Sequence, residues 1–156
     1  MEKILFRSFK KGDYETACEW WEWWWRGEKG IEREILPSDE QCFVIEYDNM
    51  SVACGFLFID KKAPIGYLTW IVSNPNYKEA NRRELLELLI INIEKHAKSL
   101  GIKFLFTVCG NKHLENIHKK LNWWIDKSRT SYETFKYIKH GSKKTTKITG
   151  TSSEIR

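Results

Sequence analysis

Four short segments in the first half of the chain are rich in β-branched and aromatic residues and end at turn residues. Such segments are typical of β-strands. We predict strands over residues 4–9, 42–47, 51–59 and 66–72. Short turns at residues 48–49 and 60–64 join the last three strands. Because strands joined by short turns pair antiparallel, these three are expected to form an antiparallel meander.

Two segments instead repeat their apolar residues at the spacing of a helix. Ala17, Trp20, Trp21 and Trp24 predict a helix over residues 13–25. A longer stripe at steps of four and three predicts a second helix over residues 82–100, which Gly101 ends. The residues of this stripe are Leu86, Ile90, Ile93, Ala97 and Leu100.

The last part of the predicted domain adds three strands and a helix. Residues 102–108 are nearly all apolar, which favours a strand buried on both faces beside a parallel neighbour. We predict a helix over residues 111–121 and a final strand pair over residues 123–125 and 132–138. The fold class is therefore α+β, with a mixed, mostly antiparallel sheet whose central parallel strand pair is flanked by helices.

Composition narrows the class of protein. The chain has 156 residues, of which 42% are hydrophobic and 30% charged, so it is a folded domain and not a disordered chain. No apolar run reaches the roughly 18 residues of a membrane span, and the N-terminus has no signal-peptide pattern. The four cysteines are far apart, which argues against a zinc site and suits reduced thiols in a cytoplasmic protein. They are Cys18, Cys42, Cys54 and Cys109.

Most of the net charge of +5 lies in the last 18 residues, where Ser, Thr and Lys dominate. We therefore divide the chain into a domain over residues 1–138 and a basic tail over residues 139–156. The tail is either a solvated extension or a weak contact for nucleic acid or another acidic partner. The paired basic residues elsewhere form no recognised nucleic-acid motif.

Five of the eight tryptophans lie within residues 20–25. Residues this close in a helix surround its whole circumference, so they cannot all face the core. We expect two or three to be buried and the rest to line a cleft or a protein interface, because clustered exposed aromatic residues mark binding surfaces. In the alternative, Trp20 and Trp24 pack in the core and the others lie under the loop at residues 27–37.

Two segments carry a resemblance to a known family. Residues 71–78, IVSNPNYK, stand between a strand and the long helix, and residues 111–123 read NKHLENIHKKLNW. They resemble the V-x-P-x-Y-R-G-x-G-I-G and N-x-x-A-x-x-x-Y-x-K-x-G-F segments of the GNAT superfamily of N-acyltransferases. The resemblance covers residues 1–138 and implies a three-layer α/β/α fold. It also implies transfer of an acetyl group from acetyl-CoA to an amine, without a metal.

The resemblance further implies where the cofactor binds. The pyrophosphate is expected at the N-terminus of the helix that starts near residue 82, where N–H donors and the positive dipole end attract anions. The pantetheine arm is expected along the edge of the fourth strand, which diverges from the fifth in this family. The residues implied to contact the cofactor are Ile71, Val72, Ser73, Lys78, Asn81, Arg82, Arg83, Glu84 and Asn111.

The sequence departs from the family pattern at the phosphate loop. Asn81 and Arg83 replace two small residues, although Asn81 tolerates left-handed backbone geometry. One hypothesis is that the Arg82 and Arg83 side chains hold the phosphates. The alternative is that neighbouring glutamates neutralise both arginines on a solvated face.

The implied active-site residues also differ from the family. His118 replaces the tyrosine that often reprotonates the leaving thiolate, and it is the candidate general acid. No carboxylate on the fourth strand offers a general base. Trp23, Trp24 and Trp25 lie where the family binds its acceptor. The remaining histidines, His96, His113 and His140, are interpreted as structural or solvated.

A second function from another class fits the same departures. A catalytically silent GNAT-like module, associated with a phage virion, would dock to a protein through residues 20–25 and to an acidic partner through the tail. The chain resembles short phage-type sequences with a Trp-rich first helix. If the protein is an acetyltransferase, its acceptor is an unidentified amine of a small molecule or a protein.

Overall fold

Five strands and three α-helices make up the described part of the chain, which comprises residues 3–128 together with 134, 136 and 138 in a computed structural model. Two single turns of 3-10 helix, Arg33–Ile35 and Asp39–Gln41, precede the second strand. The elements are β1 Ile4–Ser8, α1 Asp13–Trp24, β2 Cys42–Tyr47, β3 Met50–Ile59, β4 Ile65–Ser73, α2 Arg82–Ser99, β5 Phe104–Phe106 and α3 Lys112–Lys120.

The strands form one sheet in chain order, from β1 to β5. The first four strands pair antiparallel, and β5 pairs parallel to β4. The mixed, mostly antiparallel sheet and the meander predicted from the sequence are thus confirmed. Gly101, with φ of 80°, follows α2 and lets the chain turn towards β5 in a conformation that favours glycine.

Helices cover both faces of the sheet. On one face, α2 and α3 bury an apolar cluster against alternate residues of β2 and β3, such as Phe43, Ile45 and Leu57. On the other face, α1 packs Ala17, Trp20 and Trp21 against the intervening residues. Because side chains of a strand alternate between the two faces, one set of strands supplies both cores.

A β-bulge interrupts β4 near its carboxyl end. Trp70 and Ile71 together lie opposite Gly55 of β3, and Trp70 takes a φ of 50°, which is uncommon for a non-glycine residue. Leu68 belongs to the cluster under α2, whereas Trp70, two residues later, packs against the cluster under α1. After the extra residue, the side chains of β4 that would have faced α2 face α1 instead, and the reverse.

Two expectations for the second half of the chain are wrong. The strand predicted at residues 102–108 spans Phe104–Phe106 and is not buried on both faces, since Phe104 is 62% and Phe106 41% exposed. Its apolar run lies in the last strand of the described sheet, where among the described residues only β4 pairs with it.

Residues 123–125 form no strand. The positive φ of Asn122 turns the chain, and the Trp123 N–H donates to the carbonyl of His118, which holds this segment against the end of α3. Most of the second predicted strand, residues 132–138, and the tail at residues 139–156 lie outside the described residues. In the described part of the chain, no helix combines the length and apolarity needed to cross a membrane.

The contact between β3 and α2 at Gly55 gives a test of the packing. A Cβ at Gly55 would lie 2.8 Å from Cδ1 of the fully buried Ile93. We expect Gly55→Ala to lower the free energy of unfolding by about 1–3 kcal/mol through overpacking. Ile93→Val removes that Cδ1 and alone should cost about 0.5–1.5 kcal/mol.

The double variant should lose less stability than the sum of the two single losses, by about 1 kcal/mol, because the clash is absent. Urea unfolding of the four proteins measures this coupling. Strict additivity would show that the two groups do not meet.

Candidate functional site

The end of β4 has lost its parallel neighbour. β5 pairs with β4 only through Ile65, Gly66 and Tyr67, although β4 continues to Ser73. From Leu68 onward, the edge of β4 that would face β5 therefore has no strand beside it among the described residues. This opening is the divergence of strands four and five that the resemblance implies.

The residues predicted to line this edge face different sides. Ile71 and Ser73, each 5% exposed, line a narrow slot between the starts of α2 and α3. Val72 is fully buried and belongs to the α1 cluster on the opposite face. A cofactor arm along the edge would contact the backbone of Val72, because its side chain points away.

Three layers of the fold meet at Ser73. The indole N–H of Trp24, at the end of α1, donates to the Ser73 carbonyl at 2.7 Å. The Nη2 of Arg82, at the start of α2, donates to the Ser73 hydroxyl at 2.6 Å. The Arg82 guanidinium also lies over the Trp24 ring, 5.4 Å from its centroid.

Arg82 has no carboxylate partner among the described residues. Its guanidinium is half-buried, and burial lowers its pKa from the ordinary value. Cations in partly desolvated sites are normally paired, because an isolated buried charge is costly. The slot therefore holds a positive charge that an anionic ligand would stabilise.

Arg83 points elsewhere. Its side chain is 52% exposed and its Nε lies 3.3 Å from a carboxylate oxygen of Glu87. Glu87 also accepts from Lys120 at 2.7 Å. The positive charges of Lys120 and, to a smaller extent, of Arg83 hold the pKa of Glu87 below its usual range. The local neutralisation considered for the arginine pair is thus present at Arg83 and not at Arg82.

The other residues implied for the phosphate loop have separate positions. Asn81 has a φ of −80°, so the left-handed geometry that it tolerates is not used. Its side chain accepts from the Tyr77 hydroxyl at 2.6 Å and does not cap α2. Lys78 and Glu84 are exposed near the same helix start.

The start of α3 lies on the far side of the slot. Asn111 caps this helix by accepting from the Leu114 N–H at 2.9 Å, which keeps its amide beside Ser73 and Arg82. His113 lines the same slot, and burial, Arg83 and Arg82 lower its pKa. The interpretation of His113 as structural or solvated stays a prediction, and no sequence motif marks its place beside the slot.

The slot itself is almost closed, with a volume of about 20 Å³. It is bounded by two helix N-termini, whose dipoles add to the positive charge of Arg82. Among the described residues, no group of three or more histidine, cysteine or acidic side chains could hold a metal ion.

His118 lies elsewhere, among the residues that line a larger cavity of about 840 Å³. This cavity is bounded by β5, α3 and residues 121–127, and no residue of β4 lines it. His118 is 1% exposed, and its Nδ1 lies 2.7 Å from the Leu114 carbonyl oxygen, so Nδ1 carries the proton. Burial lowers the pKa of His118, and its Nε2 has no partner among the described residues.

Cys109 stands beside His118, with 3.5 Å between the sulfur and Nδ1. Burial and, to a smaller extent, Glu115 raise the pKa of this thiol to about 11, so it is not ionised near neutral pH. All four cysteines are free thiols, as the spacing predicts.

The tryptophan cluster divides as expected in number. Trp20, Trp21 and Trp25 are buried, Trp24 is half-buried at the end of β4, and Trp23 is 59% exposed. The expectation that Trp25 contacts substrate is corrected, because it is 1% exposed and stacks on Trp21 in the core. A docking protein would meet Trp23 and the edge of Trp24.

Comparisons with known proteins extend the picture. No protein-family profile matches the chain. The amino-acid acetyltransferase of Photorhabdus laumondii is 34% identical over 83 residues, which are 53% of this chain and 17% of the relative. That of Pseudomonas aeruginosa PAO1 is 34% identical over 84 residues, or 53% of this chain and 18% of the relative. The chain thus spans less than a fifth of these relatives.

Solved structures match over more of the chain. The N-acetylglutamate synthase of Neisseria gonorrhoeae, complexed with coenzyme A and N-acetyl-glutamate, is 18% identical with a TM-score of 0.60, over 75% of this chain and 28% of that one. A predicted acetyltransferase of Clostridium acetobutylicum with acetyl-CoA is 14% identical with a TM-score of 0.60, over 84% and 96% of the two chains. The chain therefore has the α+β fold of the GNAT acetyltransferases among these neighbours, and over about half of its length its sequence is similar to amino-acid acetyltransferases.

Proposed function

We propose that this protein transfers an acetyl group from acetyl-CoA to an amine. The observation that carries the proposal is the open edge of β4 beyond Tyr67, which ends at a slot between two helix N-termini. The slot holds a guanidinium, that of Arg82, without a carboxylate partner among the described residues. The sequence relatives named as acetyltransferases, and the structural neighbours that hold coenzyme A or acetyl-CoA, support the same activity.

The phosphates would bind at the start of α2. No side chain caps this helix. The Arg82 N–H donates to the Glu79 carbonyl, so the N–H groups of Arg83 and Glu84 are the ones that remain available to an anion. Arg82 and Arg83 at this end oppose the helix dipole by about 0.3–1 kcal/mol each, and a bound diphosphate would reverse the sign of that contribution. Lys78, Asn81 and Glu84 lie near the same helix start.

The pantetheine arm would pair with the backbone of β4 between Leu68 and Ser73. An amide-containing chain can add to a strand edge through backbone hydrogen bonds. The slot of about 20 Å³ is too small for the arm while the Arg82 guanidinium rests on the Ser73 hydroxyl. Cofactor binding would therefore move the guanidinium from Ser73 to a phosphate, which exchanges a neutral partner for a charged one.

In the transfer step, the acceptor nitrogen would attack the thioester carbonyl carbon. The C–N bond forms, the C–S bond breaks, and the nitrogen loses a proton while the thiolate gains one. The sequence resemblance implies His118 as the proton donor, and the geometry does not favour it. His118 lines a cavity apart from the β4 edge, and its neutral ring donates through Nδ1 to the Leu114 carbonyl and leaves Nε2 as an acceptor. It could protonate the thiolate only as the imidazolium, which its lowered pKa disfavours near neutral pH.

The acceptor side is bounded by Trp23 and the half-buried Trp24. Amino acids are the first acceptors to test, because the relatives are named amino-acid acetyltransferases. The relatives and neighbours give no support to the silent, virion-associated module. Its phage origin, the contacts of the tail and the cytoplasmic location stay predictions.

Cofactor binding should be visible in thermal unfolding. Acetyl-CoA at about 100 times its Kd adds roughly 2.7 kcal/mol to the free energy of unfolding. At about 2–4 °C per kcal/mol, the midpoint should rise by roughly 5–10 °C. The acetyl thioester of N-acetylcysteamine, which lacks the phosphates, is the control and should give no rise at equal concentration. No shift with millimolar acetyl-CoA would contradict the proposal.

The arginine pair should carry much of the phosphate affinity. We expect Arg82→Ala with Arg83→Ala to weaken coenzyme A binding by about tenfold or more, since each charge-assisted hydrogen bond contributes about 1.5–3 kcal/mol. Isothermal titration measures the change. Lys95→Ala with Lys98→Ala, further along the same helix, removes the same charge and should leave the Kd within about twofold. Unchanged affinity in the arginine variant would return both residues to a structural role.

Turnover is measured by release of the coenzyme A thiol from acetyl-CoA in the presence of single amines. We expect release above the amine-free background for at least one free amino acid, and mass spectrometry should find the amine 42 Da heavier, the mass of one added acetyl group. Binding of acetyl-CoA without turnover on amino acids, polyamines or peptide amines would leave a cofactor-binding protein and contradict transfer.

A further inference from the structure

We propose that His113 is a third phosphate ligand, which joins the arginine pair from the opposite wall of the slot and makes affinity for the cofactor's diphosphate depend on pH. The inference rests on the proposed function, because it concerns the same cofactor. Neither the family resemblance nor the sequence pattern assigns a role to this residue.

The placement of His113 follows from how α3 begins. The Asn111 cap fixes the first turn of α3, and His113, an exposed residue of that turn, is among the residues that line the slot. Ser73 and Arg82 line the slot from the other walls. A group held in this slot would thus meet side chains from both helices.

The charges that face His113 are mainly positive. From α2 these are Arg82 and Arg83, both close enough to lower the pKa of the imidazole. From the end of β4 comes the uncharged Ser73.

The nearby carboxylates are engaged or exposed. Glu87 pairs with Arg83 and Lys120, and Glu115 pairs with Lys112 and Lys127. Lys112 and Lys127 both contact Glu115, so neither adds to the charge at the slot. Glu84 is exposed on the first turn of α2. Arg82 is left without a carboxylate partner among the described residues, so an anion in the slot is the group that would balance its charge.

The sign of the pH effect follows from the pKa of His113. Partial burial and the two arginines lower it in the free protein, so the ring is mostly neutral near pH 7. A diphosphate in contact with the ring favours the imidazolium and raises the pKa in the complex. Binding then takes up a proton, so affinity rises as the pH falls through the pKa of the complex, and levels off below the pKa of the free protein.

The choice of ligand matters for the test. The 3′-phosphate of coenzyme A titrates near pH 6 and loses charge as the pH falls, which opposes the effect of His113. Dephospho-coenzyme A lacks that group, and its diphosphate keeps a constant charge over the same range. Acetyl-pantetheine, which has no diphosphate, is the matched ligand without the anion.

We would measure the Kd of dephospho-coenzyme A by isothermal titration between about pH 5 and pH 8.5, the range in which histidines titrate. The wild-type protein should bind about tenfold more tightly at the acidic end, the gain of one charge-assisted hydrogen bond. His113→Asn should bind at the weak level throughout, within about twofold. His113→Arg, with a charge that does not titrate, should bind tightly at every pH.

The control variant is His96→Asn, which removes another histidine of lowered pKa from the far end of α2, roughly 21 Å from its start. It should keep the wild-type pH profile. If His113→Asn also keeps that profile, or if acetyl-pantetheine shows it too, the role of His113 is overturned while cofactor binding stands. If no variant and no wild-type sample binds dephospho-coenzyme A or coenzyme A at any pH, the proposed function itself fails.

Discussion

The point at which β4 leaves β5 determines how the rest of the site is built. Parallel pairing ends at Tyr67, and the bulge at Trp70 and Ile71 opposite Gly55 then turns the remaining strand. Without the extra residue, Leu68 and Trp70 would share a face, because side chains two apart on a strand point the same way. With it, Trp70 joins the α1 side and Ile71 the α2 side. The bulge therefore lets Ser73 present its hydroxyl towards α2 while its carbonyl is held by α1.

Ser73 is the place where helices on opposite faces of the sheet make contact. Trp24 and Arg82 bind the same residue and each other, so movement of the Arg82 guanidinium would remove two contacts at once. The free protein holds this cation with a hydroxyl and an aromatic face, neither of which carries a full charge. An anion that displaces Ser73 would therefore gain an interaction that the unliganded fold does not satisfy. The half-buried cation therefore lowers the stability of the free protein, and an anion that binds it would recover that free energy as affinity.

Much of this fold could be predicted from the sequence, and the exceptions have physical causes. The strands of the meander and α2 follow from local composition and periodicity, which the tertiary structure preserves. The apolar run at residues 102–108 led to a wrong prediction of a strand buried on both faces, because apolar residues alone do not show whether both faces of a strand are covered. Trp25 misled because adjacent helical residues differ by 100° in direction, and no local pattern tells which of three consecutive tryptophans faces the sheet. The position of His113 depends on how two helices meet, which is a long-range property.

In the proposed cofactor site, side chains would replace the loop backbone as the groups that bind the phosphates. Small residues allow the backbone to approach a phosphate, and glycines allow left-handed turns that point N–H groups at it. Asn81 has ordinary helical-region geometry, so this chain forms no such turn there. The groups that we propose for phosphate binding are instead side chains, Arg82 and Arg83 from α2 and His113 from α3, of which His113 is positive only when protonated. Backbone donors keep their partial charge at every pH, whereas a site built from side chains includes an imidazole that titrates. Recognition of this second kind depends on pH and on salt, and a single substitution can change it without disturbing the helix that carries it.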